Sequence, residues 1–82
     1  MTEMMLLNIL ENLNSRFEYY FSIELDFMDN DDGKRVFSTM LRVFDSNNYF
    51  IAEHNWEGNN WPEALGKMNE EINKSDYDPV KR

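Results

Sequence analysis

Phe17-Glu18-Tyr19-Tyr20-Phe21-Ser22-Ile23-Glu24-Leu25-Asp26-Phe27 decides the fold. Every odd position is apolar or aromatic, and the even positions are mostly polar or acidic. Successive side chains of a strand point to opposite faces, so a period of two predicts a β-strand with one buried face. A turn follows at Asp29-Asn30-Asp31-Asp32-Gly33-Lys34, where short polar residues and glycine supply the conformations that reverse a chain. With Phe27 opposite Phe37, Ile23 faces Leu41 and Phe21 faces Val43 on the inner side. On the outer side Asp26 meets Ser38, Glu24 meets Met40, Ser22 meets Arg42 and Tyr20 meets Phe44. A slip by one residue would bury Arg42, which selects this register.

A second turn is expected at Asp45-Ser46-Asn47-Asn48. Pairing Phe44 with Tyr49 across it sets Val43 by Phe50, Leu41 by Ala52, Thr39 by His54 and Phe37 by Trp56. All three strands then agree on one apolar face, which predicts an antiparallel meander over residues 17–56.

Helices flank the meander. In residues 2–15, Leu6, Ile9, Leu10 and Leu13 recur at helical spacing, and Met4, Met5 and Leu7 widen the stripe. Thr2 is read as the N-cap, with Glu3 in the first turn. The stripe is read as core, because a three-stranded sheet needs a cover over its apolar side. Beyond an asparagine-rich loop, Asn60 caps a second helix, Glu63 completes a capping box and Pro62 sits in the first turn. Trp61, Ala64, Leu65, Met68 and Ile72 form its stripe, and Glu63–Lys67 and Glu70–Lys74 are spaced as i,i+4 pairs. Gly66 costs about 1 kcal/mol relative to alanine and leaves room for close approach to the sheet or the first helix. The expected fold is α+β, in the order α-β-β-β-α, with both helices on one face. Residues 1–75 are expected to form a single domain and residues 76–82 a flexible tail.

Composition narrows the function classes. A chain of 82 residues buries a small core with a stability margin of a few kcal/mol. It has no cysteine, which excludes a disulfide framework and thiolate chemistry and fits a cytoplasmic setting. No charged leader precedes a long apolar run, and no stretch approaches the roughly 18 apolar residues of a membrane span. The net charge of −8 and the pI near 4.4 oppose direct contact with nucleic acid or anionic lipid and favour a basic partner.

Candidate chemistry is thin. His54 is the only histidine; it falls on the inner side, and neighbouring Glu53 and Glu57 do not add the convergent ligands a metal needs. The loop from Asp29 to Gly33 resembles the start of a calcium loop. Aligning Gly33 with the loop glycine, however, puts Met28 at the first ligand position and Thr39 where a bidentate glutamate is required. No glycine-rich phosphate loop and no nucleophilic serine motif is present. The sequence reads as a non-catalytic binding protein without a cofactor.

The outer sheet face is the candidate site. Tyr20, Phe44, Tyr49 and Ile51 gather toward one end of it, as an apolar contact surface for a partner or for a second copy in a homodimer. Glu18, Glu24, Asp26, Asp29, Asp31, Asp32, Glu53 and Glu57 lie along the sheet, its loops and one hairpin tip. Carboxylates spaced along a rigid sheet can stand in for phosphates and dock on a basic nucleic-acid-binding protein, an attraction that weakens with salt.

The α-β-β-β-α order, small size, acidity and asparagine richness resemble small phage-encoded proteins. The nearest plan is that of phage-borne Cas9 inhibitors, anti-CRISPR proteins that put an acidic meander flanked by helices into a DNA-binding cleft. The resemblance lies in topology and composition; no residue motif matches, so no functional position carries over. It implies a phage or mobile-element inhibitor acting as a DNA mimic on an enzyme such as a CRISPR effector. The element order is also similar to that of double-stranded-RNA-binding domains, but Trp61-Pro62-Glu63 stands where those carry a basic cluster, which speaks against RNA.

Overall fold

The computed structural model describes residues 2–80. The chain runs α1 (Thr2–Arg16), β1 (Tyr20–Asp29), β2 (Arg35–Phe44), β3 (Phe50–Gly58), α2 (Trp61–Ile72). The strands form an open antiparallel sheet in the order β1-β2-β3, so the fold is α+β with the expected element order.

The β1–β2 register is the one the alternation selects, from Tyr20 opposite Phe44 to Phe27 opposite Phe37. The alternating run becomes strand only at Tyr20, because Phe17 still donates its backbone N–H to Leu13 O at 3.0 Å. The β2–β3 register differs from the expectation. Val43 faces Ala52, Leu41 faces His54, Thr39 faces Trp56 and Phe37 faces Gly58. Each pair is displaced by two residues, which leaves the inner and outer sets of β3 from Ala52 onward unchanged.

The cause lies in the turns. Asp45 N donates to Tyr49 O and Asn48 N to Asp45 O, both at 2.9 Å, while Asp45 Oδ1 accepts from Asn47 N and Tyr49 N. Asn48 is left-handed, with φ of 67°. The first hairpin repeats the device: Asn30 N donates to Lys34 O, Gly33 N to Asn30 O, and Asn30 Oδ1 accepts from Asp32 N and Lys34 N, with Gly33 at φ 74°. Each is a three-residue loop closed by an αL residue. Tyr49 is therefore spent in the turn, Phe44 faces Phe50, and the ladder shifts between Val43 and Phe44 through a β-bulge that gives β3 one extra residue.

The core among the described residues has nine buried hydrophobic side chains, among them Leu41, Val43, Ala52, Ile9, Leu13 and Met68. They join the inner face of the sheet to both helices. Leu6 and Met5 pack on this cluster, but Met4 and Leu7 remain 63% and 55% exposed. These two were expected in the core; the widened stripe spans more of α1 than the sheet and α2 can cover. Thr2 lies inside the helix rather than at its cap.

Asn60 caps α2 as expected, accepting from Glu63 N at 2.8 Å. Trp61 anchors the same end: its ring packs against Phe37 and Phe27 at 5.2 and 6.3 Å, and Nε1 donates to Asp26 O at 3.0 Å. At the other end Arg16 donates to Ile72 O and to Lys74 O, placing a cation on the carbonyls that a helix C-terminus leaves open. Lys67 pairs with Glu63 at 3.8 Å, whereas Glu70 and Lys74 form no ion pair among the described residues.

The segment expected to fray is packed through residue 80. Pro79 is buried, Tyr77 stacks edge-on against Phe17 at 6.2 Å, and Val80 touches the core. Residues 81–82 of the expected tail lie outside the described residues.

Candidate functional site

The two helices occupy one side of the sheet, so the other side is left to solvent. Its rows follow from the register. Tyr20, Phe44 and Phe50 form the first, Ser22, Arg42 and Glu53 the second, Glu24, Met40 and Asn55 the third, and Asp26, Ser38 and Glu57 the fourth. The face thus carries four carboxylates and one guanidinium. Arg42 binds two of them, Glu24 and Glu53, each at 3.1 Å. Asp26 and Glu57, two rows from Arg42, have no cation partner among the described residues.

The aromatic corner is rearranged relative to the expectation. Tyr20, Tyr49 and Phe50 are 60%, 69% and 53% exposed, and Phe50 packs edge-on against Phe44 at 6.0 Å. Phe50 was expected inside, beside Val43, and Ile51 outside. The bulge exchanges them, for Ile51 is half-buried against the core cluster. Ile51 therefore leaves the exposed apolar set and Phe50 enters it.

The hairpin tip lies at the opposite end of the sheet, about 30 Å away at 3.3 Å per residue of β1. Asp29 pairs with Arg35 at 3.0 Å; its hydrogen bond first, and its charge second, raise the pKa of the guanidinium. The same guanidinium lies over the Phe27 ring at 4.5 Å. Asp31 and Asp32 are exposed and make no ion pair among the described residues. Glu18 is exposed in the connection before β1. Of the eight acidic residues read from the sequence, five (Glu18, Asp26, Asp31, Asp32 and Glu57) thus form no ion pair among the described residues. The sequence reading placed Arg42 among the carboxylates but did not show that it bridges two of them. Its position between them in the register is the signal for that.

His54 stands on the inner side, opposite Leu41 rather than Thr39. Its Nε2 lies 2.7 Å from Pro79 O, so the imidazole donates to a carbonyl and holds the C-terminal segment. Among the described residues, no group of three or more His, Asp or Glu converges as metal ligands would, and no helix is long and apolar enough to cross a membrane. Tyr77 is strongly perturbed: burial, with the negative charges of Glu71 and Asp78, pushes its hydroxyl up to about 12. That hydroxyl has no hydrogen-bond partner among the described residues.

The chain matches no family model, no curated protein and no solved structure.

Proposed function

We propose that this protein is a non-catalytic binding module that docks its acidic sheet face and hairpin tip on a basic nucleic-acid-binding protein, as a phage or mobile-element inhibitor would. The supporting observation is an uncovered sheet face with four carboxylates, only two of them bound by its one arginine, ending in an exposed aromatic corner. Carboxylates fixed on a sheet attract a cationic cleft at long range, and exposed aromatics supply apolar anchoring once docked. A channel that holds nucleic acid has both features. Its DNA competes directly with such a ligand.

Tagged protein is incubated with a bacterial lysate at low and high salt, and retained proteins are eluted with duplex DNA. Retention of a basic nucleic-acid enzyme at low salt, released by DNA and by salt, is the expected result. Asp31→Lys with Asp32→Lys is expected to abolish it. An undiminished complex in that double variant excludes the tip, and retention insensitive to salt and DNA excludes the mimic reading.

The exposed aromatics also suit a second reading, a homodimer through the outer face. Face-to-face stacking would bring Glu24, Asp26, Glu53 and Glu57 of one copy toward those of the other, an arrangement of like charges. Sedimentation decides: a dimer dissociated by Tyr20→Glu with Phe44→Glu supports this reading, and a monomer at high concentration rules it out.

A further inference from the structure

β1 is an edge strand, and its outer side faces no other strand. The bond from Asn30 N to Lys34 O sets the alternation of the ladder, and the register runs without a shift from Asp29 to Tyr20. Even-numbered residues of β1 therefore turn their N–H and C=O groups toward β2, and odd-numbered residues turn theirs outward. The outward N–H of Phe27 is taken by Asp26 Oδ1 at 2.8 Å. Those of Phe21, Ile23 and Leu25 have no partner among the described residues, and neither do their carbonyls. The side chains of the same three residues are half-buried on the core cluster.

Protected edges look different. Natural sheets blunt them with lysine, proline, bulges or a covering element. β3 fits that pattern, since it carries the bulge, α2 packs beside it and Lys67 Nζ donates to Glu57 O at 2.8 Å. β1 is ten residues long and has no proline, no basic residue and no bulge.

Charge selects what this edge accepts. Two copies of β1 paired about a two-fold axis, with inner faces aligned, overlap most when centred on Glu24 or on Leu25. The first register sets Glu24 against Glu24, and the second sets Glu24 against Asp26 twice. Like charges directly opposite destabilise a sheet pair. A strand with lysine or arginine at those positions reverses the sign.

We infer that the β1 edge takes up an extended segment of a basic partner as a fourth strand, with apolar residues beside Phe21, Ile23 and Leu25 and basic residues beside Glu24 and Asp26. Main-chain bonds supply affinity in this mode, and alternate side chains supply specificity. The inference rests on the reading above that the partner is a basic protein, and it names the element that binds.

The probe is a nine-residue peptide of alternating valine and lysine, titrated into the full isotope-labelled chain. The Phe21, Ile23 and Leu25 amides are expected to become protected from hydrogen exchange, with the neighbouring even-numbered amides already protected. A valine–glutamate peptide is expected to bind at least tenfold more weakly. Glu24→Lys with Asp26→Lys is expected to reverse that preference. N-methylation of one alternate set of peptide amides should abolish binding and of the other should not. No protection at the three amides, equal binding of both peptides, or indifference to N-methylation overturns the edge assignment. If the edge fails while lysate retention still depends on Asp31 and Asp32, the wider function stands without it. If the peptide binds but no nucleic-acid enzyme is retained, the edge stands and the mimic reading falls.

Discussion

The same substitution, glycine to alanine, is expected to act with opposite sign at two sites about eight residues apart along the chain. At Gly58 a Cβ would stand 2.9 Å from Ala64 N and 3.0 Å from Glu63 Cβ and Cγ. The nearest obstacle is backbone, so the first turn of α2 would have to move. That turn is pinned by the Asn60 cap at 2.8 Å, by the Trp61 bond to Asp26 O at 3.0 Å and by burial of Ala64. Overpacking of this kind costs about 1–3 kcal/mol, against about 0.4–1 kcal/mol regained by restricting the unfolded chain. Gly58→Ala should therefore destabilise by about 1–2 kcal/mol. At Gly66 nothing lies within 4 Å of the added carbon, and the residue is mid-helix. Gly66→Ala should stabilise by up to about 1 kcal/mol. In a domain of this size 1 kcal/mol moves Tm by about 4–8 °C, so variants about 1–3 kcal/mol apart should have melting curves separated by at least about 4 °C. Thermal melts and urea titrations by far-UV circular dichroism, with unchanged m values, measure this. A Gly58→Ala protein as stable as wild type would refute the close packing of β3 on the start of α2.

Tyr77→Phe should cost nothing at neutral pH, because it removes a buried hydroxyl that has no partner among the described residues. It should also flatten the alkaline limb. With the folded pKa raised to about 12 from the ordinary value near 10, the wild type loses stability as pH rises between those values, and a pH series of urea midpoints shows the difference. Asp45→Ala removes the acceptor of two backbone N–H groups and should cost about 1 kcal/mol, read as a lowered urea midpoint; no loss would mean that the backbone alone closes this turn.

Faces were legible in the sequence and contacts between faces were not. The period of two in β1 fixed which side of β1, of β2 and of β3 from Ala52 onward is buried, and Arg42 excluded the one-residue slip, but Phe50 and Ile51 were assigned to the wrong faces. A slip of two residues changes no side chain's face, so burial could not distinguish Leu41 opposite Ala52 from Leu41 opposite His54. The same blindness hid the docking of the C-terminal segment. Pro79 and Val80 sit in a polar stretch with no periodicity, and the bond from His54 to Pro79 O spans 25 residues. The acidic face was legible as a set of positions. Its reduction by Arg42 depended on distances.

The turns held the missing information about register. Asn30 and Gly33 are spaced as Asp45 and Asn48 are, a side-chain acceptor followed three residues later by a residue that tolerates the left-handed region. Reading both as the same three-residue loop makes Asp45 and Tyr49 the closing pair and sets Phe44 opposite Phe50. Continued without interruption, that register would put Ile51 by Val43, Ala52 outside by Arg42, and Glu53 inside by Leu41. A carboxylate facing the core without a partner costs several kcal/mol, more than the local disruption of one extra residue in the ladder. A bulge beside Val43 follows from the turn chemistry and the charge of Glu53 together. The turn itself sets Phe50 beside Phe44 on the outer face, before the bulge, so the exposed aromatic corner on which a partner would dock is a consequence of how the second hairpin closes.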